Sequence, residues 1–334
     1  MKNILVICGP TASGKTSLAV SVASVIASFG NPNRSNLTPS GTVHILSADS
    51  RQVYKYLDIV TGKDIPADLP PSINFFGLDL VEPNQSFNLS DYVQYSKKVI
   101  QESLSQKVPL IIVGGTGLYL KAITSNLLTV NIPPNESLRG QLEKLDLSAL
   151  KTMLLKINPQ KFASLNHSDV NNPRRLIRAL EISLSPSLIG EGLSPVRDTS
   201  SLRGGTPTWQ SHSTPTFLWI GLHQDKEAQK AKINQRVLER LNAGAIDEVK
   251  KLIKKYPDKS LALFTSLGVR EIIEFLNQKI SREELINLWT LAENDYARRQ
   301  MVWFKKQPGI IWYDTGKVNN SLAVKLAELL KQND

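Results

Sequence analysis

The sequence predicts an α/β fold, a parallel sheet flanked by helices, with an all-helical domain inserted partway along the chain. Three observations predict it. Short apolar runs alternate with helical stretches through the N-terminal third, the pattern of βαβ units and a parallel sheet. A glycine-rich loop joins the first run to the first helical stretch. After Tyr119 apolar residues recur at helical spacing, and the strand pattern resumes only at Phe217.

Each element follows from local pattern. Residues 3–8, 43–48, 75–81 and 110–113 are short, rich in Val, Ile, Leu or Phe, and bounded by turn residues, so they read as buried strands. Residues 13–28 and 91–106 read as the helices between them. Residues 138–185 carry caps and helical spacing and form the predicted insert. In 183–216, 21 of 34 residues are Ser, Thr, Pro or Gly. Such a composition buries too little apolar surface to offset its ordering entropy, so a mobile loop is expected. Residues 31–41 read as a second polar loop. The sheet resumes at 217–222. A long amphipathic stretch follows, with Ile233, Val237, Leu241, Val249 and Leu252 on one stripe. Further helices run to Phe304, and 310–313 is a last strand. The expected organisation is a core of 1–122 and 215–334 around an insert at 123–214.

Composition bounds the function. At roughly 150 residues per domain, 334 residues suggest about two domains. Hydrophobic residues are 41% and charged residues 21%, which excludes a wholly disordered chain, a collagen and a disulfide scaffold. Cys8 is the single cysteine and cannot form an internal disulfide, so a reducing compartment is expected. No apolar run reaches the ~20 residues of a membrane span, and the N-terminal run is too short for a signal peptide. A cytoplasmic protein is expected. Lys plus Arg exceed Asp plus Glu by 40 to 30, a formal net charge of +10, which suits a polyanionic partner such as nucleic acid.

Three loops carry chemistry. Gly9-Pro10-Thr11-Ala12-Ser13-Gly14-Lys15-Thr16 fits G-x-x-x-x-G-K-[ST] with a strand before it and a helix after it. Glycines let the backbone curl so that its N–H groups face one anion, and the helix N-terminus adds partial positive charge. Lys15 would hold terminal phosphate oxygens and Thr16 would ligate Mg²⁺. The loop accepts ATP or another nucleoside triphosphate, or a simple diphosphate. Asp49-Ser50-Arg51-Gln52-Val53-Tyr54 follows the second strand, at the carboxyl edge where ligands sit in such sheets. There Asp49 is a general base, a Mg²⁺ ligand or a helix cap. Gly114-Gly115-Thr116-Gly117 follows the fourth strand, and Thr116 either bonds a phosphate or ribose or sits in a plain turn. Arg174, Arg175 and Arg178 on one helical stretch, and Arg298, Arg299, Trp303, Phe304, Lys305 and Lys306 on another, suit phosphate contact with base stacking or a solvated face. His44, His167, His212 and His223 show no metal-ligand spacing.

Taken in order, the segments GPTASGKTSLA, SADSRQVYKYLDIVTGK, GLDLVEPNQSFNLSDY, GGTGLYLKA, NNPRRLIRALEI, INQRVLERLNAGAIDEV and YARRQMVWFKK resemble the tRNA dimethylallyltransferases, also called tRNA isopentenyltransferases. The resemblance implies a P-loop NTPase-like fold that binds dimethylallyl diphosphate. It also implies a monomeric, Mg²⁺-dependent prenyltransferase acting on the tRNA anticodon stem-loop. The acceptor would be N6 of adenosine 37 in tRNAs reading codons that begin with U. Carried over, residues 11–16 would hold the diphosphate, Asp49 would be the base, and Arg236 would act at the diphosphate end. Asp49, Ser50, Arg51, Gln52, Thr116 and Arg139 would contact tRNA. So would two runs: Arg174, Arg175, Leu176, Ile177 and Arg178, and Thr265, Ser266, Leu267, Gly268, Val269 and Arg270. The sequence departs from the family pattern at Val269, where an aromatic is usual, and at Phe75-Phe76-Gly77, where histidines are usual. No C-terminal Cys/His zinc finger of the kind eukaryotic relatives carry stands in it, so a protein of bacterial type is expected. Three other readings share the P-loop: a small-molecule kinase, a prenyltransferase of free adenine nucleotides, and a non-catalytic nucleic-acid-binding module.

Overall fold

A computed structural model of the chain describes residues 3–29, 41–66, 68–125, 130, 132–185, 215–258 and 261–331. Most of the two polar stretches at 31–41 and 183–216 lies outside the described residues.

Among the described residues six parallel strands form one sheet in the order β3-β2-β4-β1-β5-β6: β1 (Asn3–Cys8), β2 (Val43–Ser47), β3 (Ile73–Phe76), β4 (Leu110–Gly114), β5 (Thr216–His223) and β6 (Ile310–Asp314). β1 lies between β4 and β5, with Leu5 opposite Ile111 and Leu218. From Ile4 to Cys8 every residue is buried, because helices cover a parallel sheet on both faces. Leu18, Val22 and Ile26 of helix α1 (Lys15–Ser28) pack on one face with Ile7, Ile45 and Val113. Each such side chain contributes about 1.5–3 kcal/mol on burial. The strand order turns about β1, so the loops leaving β1, β2 and β4 open into one crevice.

Four local differences from the sequence reading have physical causes. The strand expected at 75–81 is Ile73–Phe76, because Gly77 and Asp79 adopt φ values of 85° and 53° and turn the chain away. The helix expected from Ser13 starts at Lys15, since Ala12 and Gly14 sit in the left-handed region at φ 61° and 75°. The next helix, α2 (Leu89–Ser105), starts two residues early because Asn88 forms a capping box with Asp91. A C-terminal helix, Asn320–Lys331, was not anticipated. Its Leu322, Ala323, Leu326 and Ala327 join the core beside α1.

The chain divides into two compact units, Met1–Thr124 with Pro207–Asp334, and Ser125–Thr206. The first unit also holds α3 (Gly117–Thr124), and the second holds α4 (Glu136–Leu142), α5 (Leu147–Ile157), α6 (Pro159–Ala163), α7 (His167–Val170) and α8 (Pro173–Ser183). Its own core is built from Leu142, Leu150, Leu154, Leu176, Ile177 and Leu180. Among the described residues no helix is long and apolar enough to cross a membrane.

Candidate active site

The glycine loop leaves β1 with Gly9 at φ 147°, where a Cβ would collide with the Leu222 carbonyl. The left-handed Ala12 and Gly14 then curl the backbone into the first turn of α1. The buried Ser13 hydroxyl has no hydrogen-bond partner among the described residues, which is what a cradle awaiting an anion looks like. Lys15 Nζ donates to the Pro10 carbonyl at 2.5 Å and so lies across the loop. Burial and the nearby Arg236 cation push the Lys15 amine down to about 8, against the pull of Asp49. Cys8, just before the loop, is buried, and its thiol is pushed up to about 12 by desolvation. It is a core residue and no nucleophile.

Asp49 stands at the end of β2. Its Oδ1 accepts the Arg51 N–H at 2.8 Å, which folds the loop back on itself. The rest of this loop is held from several sides. Ser50 N–H donates to Thr116 Oγ1 at 3.1 Å, Gln52 Nε2 donates to the Gly62 carbonyl at 2.9 Å, and Arg51 Nη1 donates to the Ala262 carbonyl at 2.9 Å. Thr116 N–H donates to the Ala48 carbonyl at 3.1 Å. The glycine turn after β4 is thus a docking surface for the Asp49 loop, and a Cβ at Gly114 would collide with Ala48.

These loops line one cavity of about 750 Å³ that contains Lys15, Thr16, Asp49, Arg236, Tyr296 and Arg299 among its walls. Arg236, on the Lys226–Asn242 helix, pairs with Asp64, and burial pushes its guanidinium down to about 10. Burial and the Asp49 carboxylate push the Tyr296 phenol up, while a hydrogen bond with Thr116 opposes them. It therefore stays a neutral O–H. Among the described residues no three or more His, Cys, Asp or Glu side chains come together as a metal-binding group. Of the carboxylates on the cavity wall, Asp64 and Glu293 are paired with Arg236 and Arg240, and the glycine loop and the end of β2 bring the Thr16 hydroxyl and the Asp49 carboxylate to it. That set fits an ion such as Mg²⁺, which keeps waters and takes further oxygens from a phosphate substrate.

The segment at 265–270 borders the same cavity through Thr265, Ser266 and Leu267. Val269 is fully buried and Arg270, exposed, pairs with Glu271. In the second unit the arginines divide. Arg139 Nε and Nη2 each donate to Glu181 at 3.0 Å, and Arg178 donates to the same carboxylate and to the Ile132 carbonyl. The Glu181 side chain is only 2% exposed. Burial alone would raise its carboxyl, but Arg139, the Asn135 N–H and Arg178 hold it below the usual range. Arg175 pairs with Asp169 and is exposed, as is Arg174. Leu176 and Ile177 are core side chains, so an RNA contact by this run would fall to its arginines.

Sequence reasoning passed over several groups at the cavity. Gln300 links Thr11 to Gly115. Glu293 pairs with the buried Arg240 at 2.9 Å. Behind the wall, Glu248 accepts the N–H groups of Asp58, Ile59 and Val60, the last of which lines the cavity, at 2.8–2.9 Å. Lys63 binds Asp58, Asp79 and the Tyr54 carbonyl. Glu293, Tyr296 and Gln300 recur at helical spacing on the Arg282–Phe304 helix, and that spacing beside the basic-aromatic run was the available signal.

A family model described as IPP transferase matches residues 52–307. A tRNA dimethylallyltransferase of Gloeothece citriformis is 33% identical over 99% of this chain and 96% of its own length. One from Synechococcus elongatus is 31% identical over 99% and 97%. Among solved structures, the full-length tRNA isopentenylpyrophosphate transferase of Bacillus halodurans aligns with a TM-score of 0.65 at 27% identity, over 99% of this chain and 96% of that one. A eukaryotic dimethylallyltransferase acting on tRNA shares the fold with a TM-score of 0.75 at 20% identity, over 100% of this chain and 80% of that one. With most of its length matched by the family model and nearly all of it by these relatives, the chain belongs to the IPP transferase family, the tRNA dimethylallyltransferases.

Proposed function

We propose that the protein transfers the dimethylallyl group of dimethylallyl diphosphate to N6 of adenosine 37 in tRNAs reading codons that begin with U. The products are N6-isopentenyladenosine and diphosphate. The observation that carries the reading is the joining of Lys15, Arg236 and Asp49 around one cavity.

An exocyclic adenine amine is a weak nucleophile, so the allylic carbon must become a strong electrophile. The C–O bond to the diphosphate breaks more easily when loop N–H groups, Lys15 and Arg236 neutralise the charge growing on the leaving group. Bound Mg²⁺, held by Thr16 and diphosphate oxygens, would supply further positive charge there. As the C–N bond forms, Asp49 accepts the amine proton. The neutral Tyr296 hydroxyl, on the cavity wall and hydrogen-bonded to Thr116, would hold the base beside it. Adenosine must leave the anticodon stack, at a cost of a few kcal/mol. Cationic side chains such as Arg51 and Arg299 at the cavity, and Arg174 and Arg175 in the helical unit, offset that through phosphate contacts. A monomer working in the cytoplasm, where tRNA is found, completes the reading.

Incubation with labelled dimethylallyl diphosphate and tRNA, AMP or ATP tests this. Label in tRNA alone is expected. Label in the free nucleotide would replace this reading with a nucleotide prenyltransferase, and phosphate transfer from ATP would replace it with a kinase.

A further inference from the structure

We propose that Gln300 is a positioning residue that clamps the glycine loop to the turn carrying Thr116, and thereby sets where the diphosphate cradle stands relative to Asp49. The inference rests on the reading that residues 11–16 hold the diphosphate and that Asp49 takes the proton.

Gln300 lies on the Arg282–Phe304 helix and is 6% exposed. Its Oε1 accepts the Thr11 N–H at 2.8 Å, and its Nε2 donates to the Gly115 carbonyl at 2.9 Å. A backbone donor on one side and a backbone acceptor on the other leave the amide one orientation. The fit is close, since a Cβ on Gly115 would collide with the Gln300 amide. From Gly115 the contacts continue toward the base. Thr116 N–H donates to the Ala48 carbonyl at 3.1 Å, and Thr116 Oγ1 accepts the N–H of Ser50, the neighbour of Asp49, at 3.1 Å. One buried side chain thus connects the loop that would hold the leaving group with the loop that would hold the base. Its partner on Thr11 is an amide N–H, so the clamp fixes the entry of the loop and leaves the later N–H groups, from Ser13 onward, to face the anion. A side chain here must donate and accept at once and span both loops. Glutamine meets both demands. An ionised glutamate can only accept, methionine spans the gap with neither function, and asparagine is one methylene short.

The test compares Gln300→Glu and Gln300→Met with the wild type, measuring kcat and KM for dimethylallyl diphosphate from pH 5.5 to 8.5 (a range of about three units), tRNA affinity, and melting temperature. Lys15, Asp49, Tyr296, Glu293 and Arg299 line the same cavity, so each variant is read as a ratio to wild type at the same pH. Gln300→Met is expected to lose about ten- to a hundredfold in kcat/KM for dimethylallyl diphosphate at every pH, the usual effect of leaving buried partners unsatisfied. Its tRNA affinity should hold. Gln300→Glu is expected to show the same loss at high pH and to recover toward acid, because a protonated carboxyl both donates and accepts. A merely structural role would lower the melting temperature with no pH-dependent rescue and no change in KM, and that result overturns the proposal. Wild-type kinetics in Gln300→Met overturn it too, and that variant decides alone if Gln300→Glu does not fold. Lys15→Ala separates the underlying reading: unchanged dimethylallyl diphosphate binding there would refute the diphosphate assignment whatever Gln300 does.

Discussion

Asp49 both shapes its own loop and faces the cavity, since its Oδ1 accepts the Arg51 N–H. Asn keeps that acceptor and removes the charge, so Asp49→Asn separates the two roles. We expect single-turnover prenyl transfer to fall by about 10²–10⁴, with dimethylallyl diphosphate affinity within a few fold. Wild-type rates in the variant would leave Asp49 a loop cap only. Lys15 gives a pH signature. Its amine is held at about 8 against an ordinary 10.5 by burial and by Arg236. A base whose folded value is lowered is penalised in its charged form, so the empty protein gains stability as pH rises from 8 toward 10.5. Diphosphate binding runs the other way, because it needs the ammonium. Affinity should change little between about pH 7 and 8, where the diphosphate is fully ionised, and fall above it. Calorimetry near pH 8 in buffers of different ionisation enthalpy should show uptake of about half a proton per ligand bound. Zero uptake would mean that Lys15 does not meet the anion.

The helices of the second unit show how one carboxylate joins elements. Glu181 on α8 receives Arg139 from α4 and Arg178 from its own helix, and accepts the Asn135 N–H at the cap of α4. Glu181→Ala strands two guanidinium groups. Each is about a third exposed, so water recovers part of the loss, and the cost should be about 2–3 kcal/mol. Because the Glu181 carboxyl is held below its ordinary value, its contribution is present above the unfolded-state pKa and is lost as pH falls through the lower folded-state one. A melting series toward acid should therefore narrow the gap between wild type and variant. A constant gap would assign the effect to packing. Sequence reasoning could name these arginines but not their partner, since an Arg three residues before a Glu on a helix does not say which face is buried. The strand order was equally out of reach, although each strand was legible from its apolar run. The glycine loop was legible because its pattern is local. Gln300 was not, because its partners lie 289 and 185 residues away.

At the scale of the whole molecule two ligands and two kinds of cation must be told apart. The chain carries a net charge of +10, but the structure spends many of its arginines on internal carboxylates. Arg139, Arg178 and Arg240 pair with the buried Glu181 and Glu293, and so are poorly free to neutralise RNA phosphates. Arg174 and Arg175 are exposed on α8, and Arg175 shares a surface pair with Asp169 that contributes little to stability. The double variant Arg174→Ala with Arg175→Ala should therefore melt within about 1 kcal/mol of wild type in stability, and bind dimethylallyl diphosphate unchanged. If both side chains meet phosphates, the slope of log K for tRNA against log salt should become shallower by about 0.7–0.9 for each. Arg178→Ala should show the opposite pattern, a lower melting temperature with the salt slope nearly kept, because its charge is committed to Glu181. Titrating tRNA at four salt concentrations beside a melting curve separates the two patterns. An unchanged slope in the double variant, with unchanged stability, would mean that this face of α8 is solvated and that the tRNA footprint lies on other cations, of which Arg51 and Arg299 at the cavity are the next to test.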